Sequence, residues 1–228
     1  MRATVPPRPD LPATVRLMRA VALAALLLVA AWVPAPAAEP VVEGRDYVVI
    51  ADGRPWQPLE GRIEVAEVFG YWCHVCDAFQ PLVDAWATSL PQDVRFSYVP
   101  AAFSPTDAYA RAYFAAESLG VLQRTHHATF DAIHHAQTLP QRNASVDEVA
   151  ALYAGLGVDA DTLTAAMRSP ATDARMAAAR EFAVRSGVEG TPTVIVNGRY
   201  RVQARSLRDL LRIADALVAR ERAAAGTR

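Results

Sequence analysis

The stretch that decides the fold runs from residue 65 to residue 76 and reads Val65-Ala66-Glu67-Val68-Phe69-Gly70-Tyr71-Trp72-Cys73-His74-Val75-Cys76. Its first half is an apolar, β-branched run that predicts a strand, and a helix is predicted to start at Cys73. The stretch contains both cysteines of the chain. A Cys-x-x-Cys pair where a strand gives way to a helix presents one disulfide to the thiol of another protein. The pair can therefore bond to itself, bind a ligand together or stay reduced.

The spacing and position of the two cysteines favour an exchangeable disulfide. Residues three apart on a first helical turn have Cα atoms roughly 5 Å apart, within the range that a disulfide accepts. The unpaired N–H groups of a helix N-terminus favour a thiolate, and His74 adds a positive charge when it is protonated. A stabilised thiolate makes the disulfide a stronger oxidant. We therefore expect Cys73 to be the attacked sulfur and Cys76 the resolving one.

A structural disulfide and a zinc site are the alternatives for this pair. A loop closed across two intervening residues removes little entropy from the unfolded chain, so the bond would stabilise the fold only weakly. A structural zinc ion takes four ligands, of which Cys73 and Cys76 supply two. Both alternatives are weaker than an exchangeable disulfide.

Glu67 is a carboxylate in a strand otherwise built of apolar residues, six positions before Cys73. If its side chain is buried, desolvation raises its pKa, and the carboxylate can exchange a proton with the Cys76 thiol. The alternative is that Glu67 points to solvent on a polar face of the strand. The strand pattern alone leaves both open.

Four further histidines lie on one predicted helix, about residues 122–137: His126, His127, His134 and His135. They recur seven or eight residues apart and could share a face. A metal site is conceivable, but we expect a solvated helix face.

The first 37 residues are typical of a cleavable signal peptide. Four arginines precede an uncharged run of 14 residues from Ala20 to Val33, and Ala35-Pro36-Ala37 matches the small-residue cleavage rule. A membrane helix needs roughly 17–25 apolar residues, so the run is too short to be an anchor. We expect cleavage after Ala37, whether the chain starts at Met1 or at Met18. Export would place the cysteines where disulfides persist.

The charge balance argues against a nucleic-acid partner. The whole chain carries a formal net charge of −1, and the rest of the chain is near −4 without the arginine-rich first 37 residues. A basic surface is the usual footprint of nucleic-acid binding.

Elsewhere, β-patterns flank a long segment that predicts helices only, from residue 101 to about 186. Short strands are predicted at residues 47–50, 63–69 and 94–99, and a hairpin follows Thr191-Pro192 with Asn197-Gly198 as its tight turn. Ser145 begins a capping box, and Ser206 caps a last amphipathic helix. The order predicts an α/β domain interrupted by helices.

Together these motifs resemble a known family. Trp72-Cys73-x-x-Cys76, Glu67, Pro81 and Thr191-Pro192 ahead of a hairpin resemble the thioredoxin fold. The signal peptide and the long helical segment narrow this to the DsbA family of periplasmic thiol:disulfide oxidoreductases. The resemblance covers nearly all of the chain after residue 37.

The resemblance implies an α/β, thioredoxin-like fold with an inserted all-helical domain. The expected divisions are a signal peptide at 1–37, a thioredoxin-like domain at 38–100 and 189–228, and a helical insertion domain at 101–188. It also implies a cis bond between Thr191 and Pro192 that faces the disulfide and binds substrate together with Trp72 and Val75.

The resemblance further implies the roles of the site and its partners. Glu67 would be the buried proton-transfer residue, and His74 would influence the Cys73 sulfur. No cofactor is expected beyond the Cys73–Cys76 disulfide, and no metal. Expected partners are unfolded exported proteins with free thiols and a quinone-coupled, DsbB-like protein of the inner membrane that reoxidises the pair. We expect a periplasmic monomer from a Gram-negative bacterium.

Two departures from the family pattern bear on the direction of the reaction. The best-known members have Pro-His between the cysteines, whereas this chain has His74-Val75. Oxidising members usually have valine where this chain has Thr191, and the isomerase branch has threonine. Those isomerases carry an N-terminal dimerisation domain, which residues 38–72 are too short to form. The sequence therefore favours an oxidase over a reductase or isomerase, and over a metal-binding or structural exported protein.

Overall fold

A computed structural model describes residues 40–226 of the chain. The predicted signal peptide and its cleavage site after Ala37 lie outside the described residues. The chain from residue 40 onward forms one compact unit. The division into domains at residues 100/101 and 188/189 therefore stays a prediction.

Strands and helices alternate at both ends of this unit, and helices alone fill its middle. In order, they are β1 (Tyr47–Val49), β2 (Ile63–Phe69), α1 (His74–Ala87), β3 (Val94–Pro100), α2 (Ala108–Ser118), α3 (Leu122–His134), α4 (Val146–Gly155), α5 (Ala160–Met167), α6 (Pro170–Arg185), β4 (Thr193–Val196), β5 (Tyr200–Val202) and α7 (Leu207–Gly226).

The strands form one mixed sheet in the order β1-β5-β4-β2-β3. β2 lies inside the sheet, parallel to β3 and antiparallel to β4. All seven of its residues are buried, as expected for a strand covered on both faces. Because β2 runs directly into the start of α1, the cysteine pair lies at the carboxyl end of this strand.

The predicted hairpin of β4 and β5 is confirmed. Asn197 and Gly198 both have positive φ angles, 51° and 65°, as the tight turn between twisted strands requires. A Cβ atom on Gly198 would lie 2.0 Å from the Arg54 carbonyl carbon, so no other residue fits there. The Asn197 side chain accepts from the Glu64 backbone N–H at 2.8 Å, which joins the hairpin turn to β2.

Two apolar clusters cover the sheet. One joins it to α1 and α7 through Phe79, Val83, Ile213 and Leu217. The other joins the end of β2 to the helical segment, and it contains both Cys73 and Cys76. The helical segment therefore forms part of the wall around the cysteine pair.

Helix boundaries depart from the predictions at the cysteine pair and at the histidines. Cys73 is the N-cap of α1, with an extended backbone (φ −90°, ψ 111°), so the helix begins at His74. α3 ends at His134 instead of about residue 137, and Gln137 has a positive φ of 53° that a helix cannot contain. The capping box at Ser145 and Glu148 is confirmed. Among residues 40–226, no helix has the length and apolarity to cross a membrane.

Candidate active site

The N-terminus of α1 places the two cysteines in different environments. Cys73 is 7% exposed, whereas Cys76 is completely buried. The Cys73 sulfur accepts a hydrogen bond from the Cys76 backbone N–H at 3.4 Å, which is the helix-capping contact. No bond joins the two sulfurs, so the structure shows the reduced pair. Cys73 is thus the sulfur that another thiol can reach.

The loop between α6 and β4 lies against the Cys73 sulfur. The Thr191–Pro192 bond is cis, as the resemblance implies. The Thr191 carbonyl oxygen lies 3.2 Å from Cys73 Sγ, where it accepts a hydrogen bond from the thiol when Cys73 is protonated. Thr191 and Pro192 are half-buried, so this segment beside the Cys73 sulfur is only partly covered by the rest of the described chain.

The pKa values of the two thiols shift in opposite directions. A hydrogen bond from the Cys76 side chain, with further bonds from the Cys76 and Val75 backbone, lowers the pKa of Cys73 to about 5 against the opposing effect of burial. Burial in the apolar cluster and the hydrogen bond to Cys73 raise the pKa of Cys76 well above its ordinary value. At neutral pH, Cys73 is a thiolate and Cys76 a thiol.

Glu67 is completely buried, so the solvent-facing alternative is wrong. Neither carboxyl oxygen has a hydrogen-bond partner among the described residues. Burial, together with the charge on Cys73, raises the pKa of this carboxyl well above its ordinary value. The charge of Glu67 in turn raises the pKa of Cys76. Glu67 and Cys76 therefore influence each other electrostatically, and the proton-transfer role of Glu67 stays a prediction.

Sequence reasoning missed Tyr98 as a polar neighbour of Glu67, and Gln80 as the partner of Tyr98. Tyr98 lies opposite Glu67 in the β2–β3 register, and its hydroxyl donates to Gln80 Oε1 at 3.4 Å. Both residues sit in segments that the pattern predicts as an ordinary strand and helix. Only the strand register reveals their proximity.

The remaining predicted site residues surround the opening. Trp72 is half-buried, and its indole crosses Gly70 so closely that a Cβ atom there would lie 2.6 Å from the ring. Val75 is half-buried against the helical cluster. His74 is the first residue of α1 and is exposed. Its predicted influence on Cys73 stays a prediction.

The solvated-face interpretation of the α3 histidines is wrong for two of the four. His126 is buried, and its Nδ1 lies 2.7 Å from the Tyr71 hydroxyl. Burial lowers the pKa of His126 to about 3, so its ring is neutral. His134 is half-buried and contacts the Tyr71 carbonyl at 2.7 Å. Helical spacing predicted that the histidines share one face of α3, but only the fold shows that Tyr71 lies against part of that face.

His127 and His135 do lie at the surface, where each pairs with an aspartate of α1. His127 lies 3.4 Å from Asp84, and His135 lies 3.2 Å from Asp77. No group of three or more metal-ligating side chains of the histidine, cysteine or carboxylate type converges within residues 40–226.

A reduced cysteine pair at a helix N-terminus, beside a cis-proline and above a buried carboxyl, defines a thiol:disulfide oxidoreductase. Comparison with known proteins gives the family. Residues 64–215 match the DSBA-like thioredoxin domain, and the chain belongs to this family.

This chain is similar to curated relatives and to solved structures over nearly the whole length of those proteins. The chain is 36% identical over 214 residues to the thiol:disulfide interchange protein DsbA of Pseudomonas syringae pv. tomato, covering 91% of this chain and 98% of that protein. It superimposes on oxidoreductase DsbA from Xylella fastidiosa with a TM-score of 0.78 at 48% identity, over 80% of this chain and 98% of that one. Pseudomonas aeruginosa DsbA gives 0.74 at 36% identity, over 82% and 97%. The predicted thioredoxin-like α/β fold is confirmed.

Proposed function

We propose that this chain is an exported disulfide oxidase that donates the Cys73–Cys76 disulfide to newly exported proteins. The observation that carries the proposal is the place of Cys73 at the N-terminus of α1, where its sulfur accepts from the Cys76 backbone N–H. The low pKa of this thiol, about 5, agrees with that position. A thiolate that is stable at neutral pH favours the reduced form of the pair, which makes its disulfide a strong oxidant.

The reaction would begin when a substrate thiolate attacks Cys73 Sγ. The bond between Cys73 and Cys76 breaks as the mixed disulfide forms, and Cys76 leaves as a thiolate. Protonated Glu67, which is buried and influences the Cys76 thiol electrostatically, would supply the proton that this buried thiolate needs. When the pair is reoxidised, the same carboxylate would take the proton back.

A second substrate thiolate would then attack the substrate sulfur of the mixed disulfide. The substrate leaves with its own disulfide, and Cys73 leaves as its stabilised thiolate. Two electrons thus pass from the substrate to the cysteine pair, and the protein itself needs no further cofactor. The half-buried backbone of Thr191 and Pro192, with Trp72 and Val75 at the rim, would bind the substrate segment.

The compartment and partners follow from the same chemistry. An oxidase of this kind acts where disulfides persist, and the signal-peptide pattern of residues 1–37 supports a periplasmic location. Unfolded exported proteins with free thiols would be the substrates. A quinone-coupled, DsbB-like membrane protein would return the pair to the disulfide, and the oxidase would act as a monomer.

A redox titration against glutathione tests the direction of the reaction. We expect a potential near that of a strong oxidant, about −120 mV, because the Cys73 thiolate is stabilised. A value near −270 mV, typical of thioredoxin, would instead identify a reductase. The titration is followed by the intrinsic fluorescence of the protein. The variant with both cysteines changed to alanine is the control, because its fluorescence should not change with the glutathione ratio.

A further inference from the structure

The two peptide carbonyls immediately before Cys73 are both occupied by side chains of the helical segment. His134 Nε2 lies 2.7 Å from the Tyr71 carbonyl oxygen. Gln141 Nε2 lies 2.9 Å from the Trp72 carbonyl oxygen. A carbonyl oxygen only accepts, so both side-chain nitrogens donate, and His134 carries its hydrogen on Nε2.

The residues that make these contacts are themselves fixed. The His134 ring stacks on Phe130 at 6.1 Å between ring centroids. Ahead of Gln141, Leu139 is buried and its backbone N–H donates to the Ala132 carbonyl at 3.1 Å. The Tyr109 hydroxyl donates to the Pro140 carbonyl. The donors therefore come from a packed segment and not from free side chains.

These contacts bear directly on the reacting sulfur. The Cys73 N–H belongs to the Trp72–Cys73 peptide, whose carbonyl accepts from Gln141, and it donates to Gly70 at 3.0 Å. A rotation of these peptides would move Cys73 Sγ, which caps α1, away from the Cys76 N–H that donates to it. Loss of either donor would also leave uncompensated a carbonyl dipole in the two residues before Cys73, which would disfavour negative charge on this residue.

We propose that His134 and Gln141 are positioning residues, which act through the Tyr71 and Trp72 carbonyls to stabilise the thiolate of Cys73. The helical segment then does more than cover the site, because it sets how strongly the pair oxidises. This inference rests on the proposed function only in taking Cys73 as the exchanging sulfur.

Substitutions that remove the donor but keep the side-chain length test the proposal. In His134→Met and Gln141→Met, we expect the equilibrium constant for oxidation of glutathione to fall about threefold to tenfold, which is the range of one hydrogen bond. The Cys73 thiolate pKa, followed by absorbance near 240 nm, should rise with it. His134→Gln removes the imidazole but keeps a donor, and it should stay within about twofold of the parent protein.

His127→Met is the matched control, since it removes a histidine of the same helix that contacts the surface residue Asp84 instead of the loop. If the Met variants at 134 and 141 keep the parent's equilibrium constant and thiolate pKa, the proposal is overturned, even where their melting temperatures fall. Gln141 is exposed, so Gln141→Met provides a decisive result if His134→Met does not fold. If the parent protein itself does not exchange with glutathione, the proposed function fails instead.

Discussion

The rim of α1 around Cys73 and the layer beneath it around Cys76 differ in every property that governs a thiol. At the rim, Cys73 Sγ receives the N–H of the helix terminus and lies beside the open backbone of Thr191. Beneath it, Cys76 and Glu67 are completely buried, and neither Glu67 oxygen has a partner among the described residues. Two sulfurs three residues apart thus acquire opposite chemistry from their surroundings alone.

The difference explains why one motif can both release and recapture a disulfide. The rim stabilises an anion, so Cys73 is a good leaving group for the substrate's new disulfide. The buried layer disfavours anions, so we expect Cys76 to take up a proton once it leaves the disulfide, and Glu67 is the proton donor that we propose. The comparison predicts that changes at the rim alter reactivity, whereas changes beneath it alter stability and proton transfer.

The largest expected effect is the loss of exchange when the rim cysteine is removed. Cys76→Ala leaves Cys73 free to attack a peptide that contains a disulfide. The resulting mixed disulfide between Cys73 and the peptide should accumulate, because no resolving thiol remains in the protein. Cys73→Ala should react at least about 100-fold more slowly at pH 7, since the buried Cys76 is almost wholly protonated. Mass spectrometry of the trapped species checks this. Efficient trapping through Cys76 would reverse the two roles.

The second expected effect is a pH-dependent gap in stability between the reduced and oxidised forms. Folding lowers the pKa of Cys73 from the ordinary value of about 8.5 to about 5, so the unfolded reduced chain binds more protons than the native one between these pH values. The extra stability that Cys73 gives the reduced form therefore disappears as the pH falls to about 5. It is largest near pH 8.5, because above this pH the raised pKa of the buried Cys76 thiol acts in the opposite direction. Its slope cannot exceed about 1.4 kcal/mol per pH unit, the value for one proton.

Denaturant unfolding of both redox forms between pH 4 and pH 9 measures this gap. The alanine double variant is the control, because it has no redox forms and should show no such gap. A gap that is constant over this range would contradict a low Cys73 pKa.

The sequence was sufficient for the elements that depend on local pattern, and it failed where tertiary packing decides. The hairpin at Asn197-Gly198 was predictable because its turn demands those residues. The burial of Glu67 was not, because a strand pattern does not show whether its second face is covered. His126 shows the same limit, since helical spacing cannot reveal that Tyr71 lies against that face.

The third expected effect tests the buried layer through Glu67→Gln, which removes ionisation and keeps the shape. Burial raises the pKa of Glu67, so the native protein retains a proton that the unfolded chain releases above about pH 4.3. That difference destabilises the parent protein as the pH rises from there. We expect the variant to gain roughly 1–3 kcal/mol at pH 8 and little at pH 4. The same variant should slow the deprotonation of Cys76 during reoxidation.

Urea unfolding of the oxidised forms at pH 4 and pH 8 provides the measurement. Glu60→Gln, at an exposed turn residue, is a matched control that should change neither value. Equal stabilities of Glu67→Gln and the parent at pH 8 would show that Glu67 ionises freely in the folded protein, and the division into an anion-favouring rim and an anion-excluding layer would be lost.

The smallest expected effect lies furthest from the sulfurs, at the His126 ring against Tyr71. Burial lowers the pKa of His126 to about 3, whereas an unfolded histidine titrates near 6.5, so the unfolded chain binds the extra proton first. The stability that depends on the neutral ring is complete above about pH 6.5 and is lost as the pH falls towards 3. Between pH 7 and pH 5 this amounts to about 1–2 kcal/mol.

His126→Phe keeps an aromatic ring against Phe69 and Phe130. The variant should remove this loss of stability between pH 7 and pH 5, whatever it does to stability at pH 7. Because His126 contacts Tyr71 and not Cys73, the variant should leave the pH dependence of the redox gap in place. A change in that gap would mean that the buried layer and the rim are not separable.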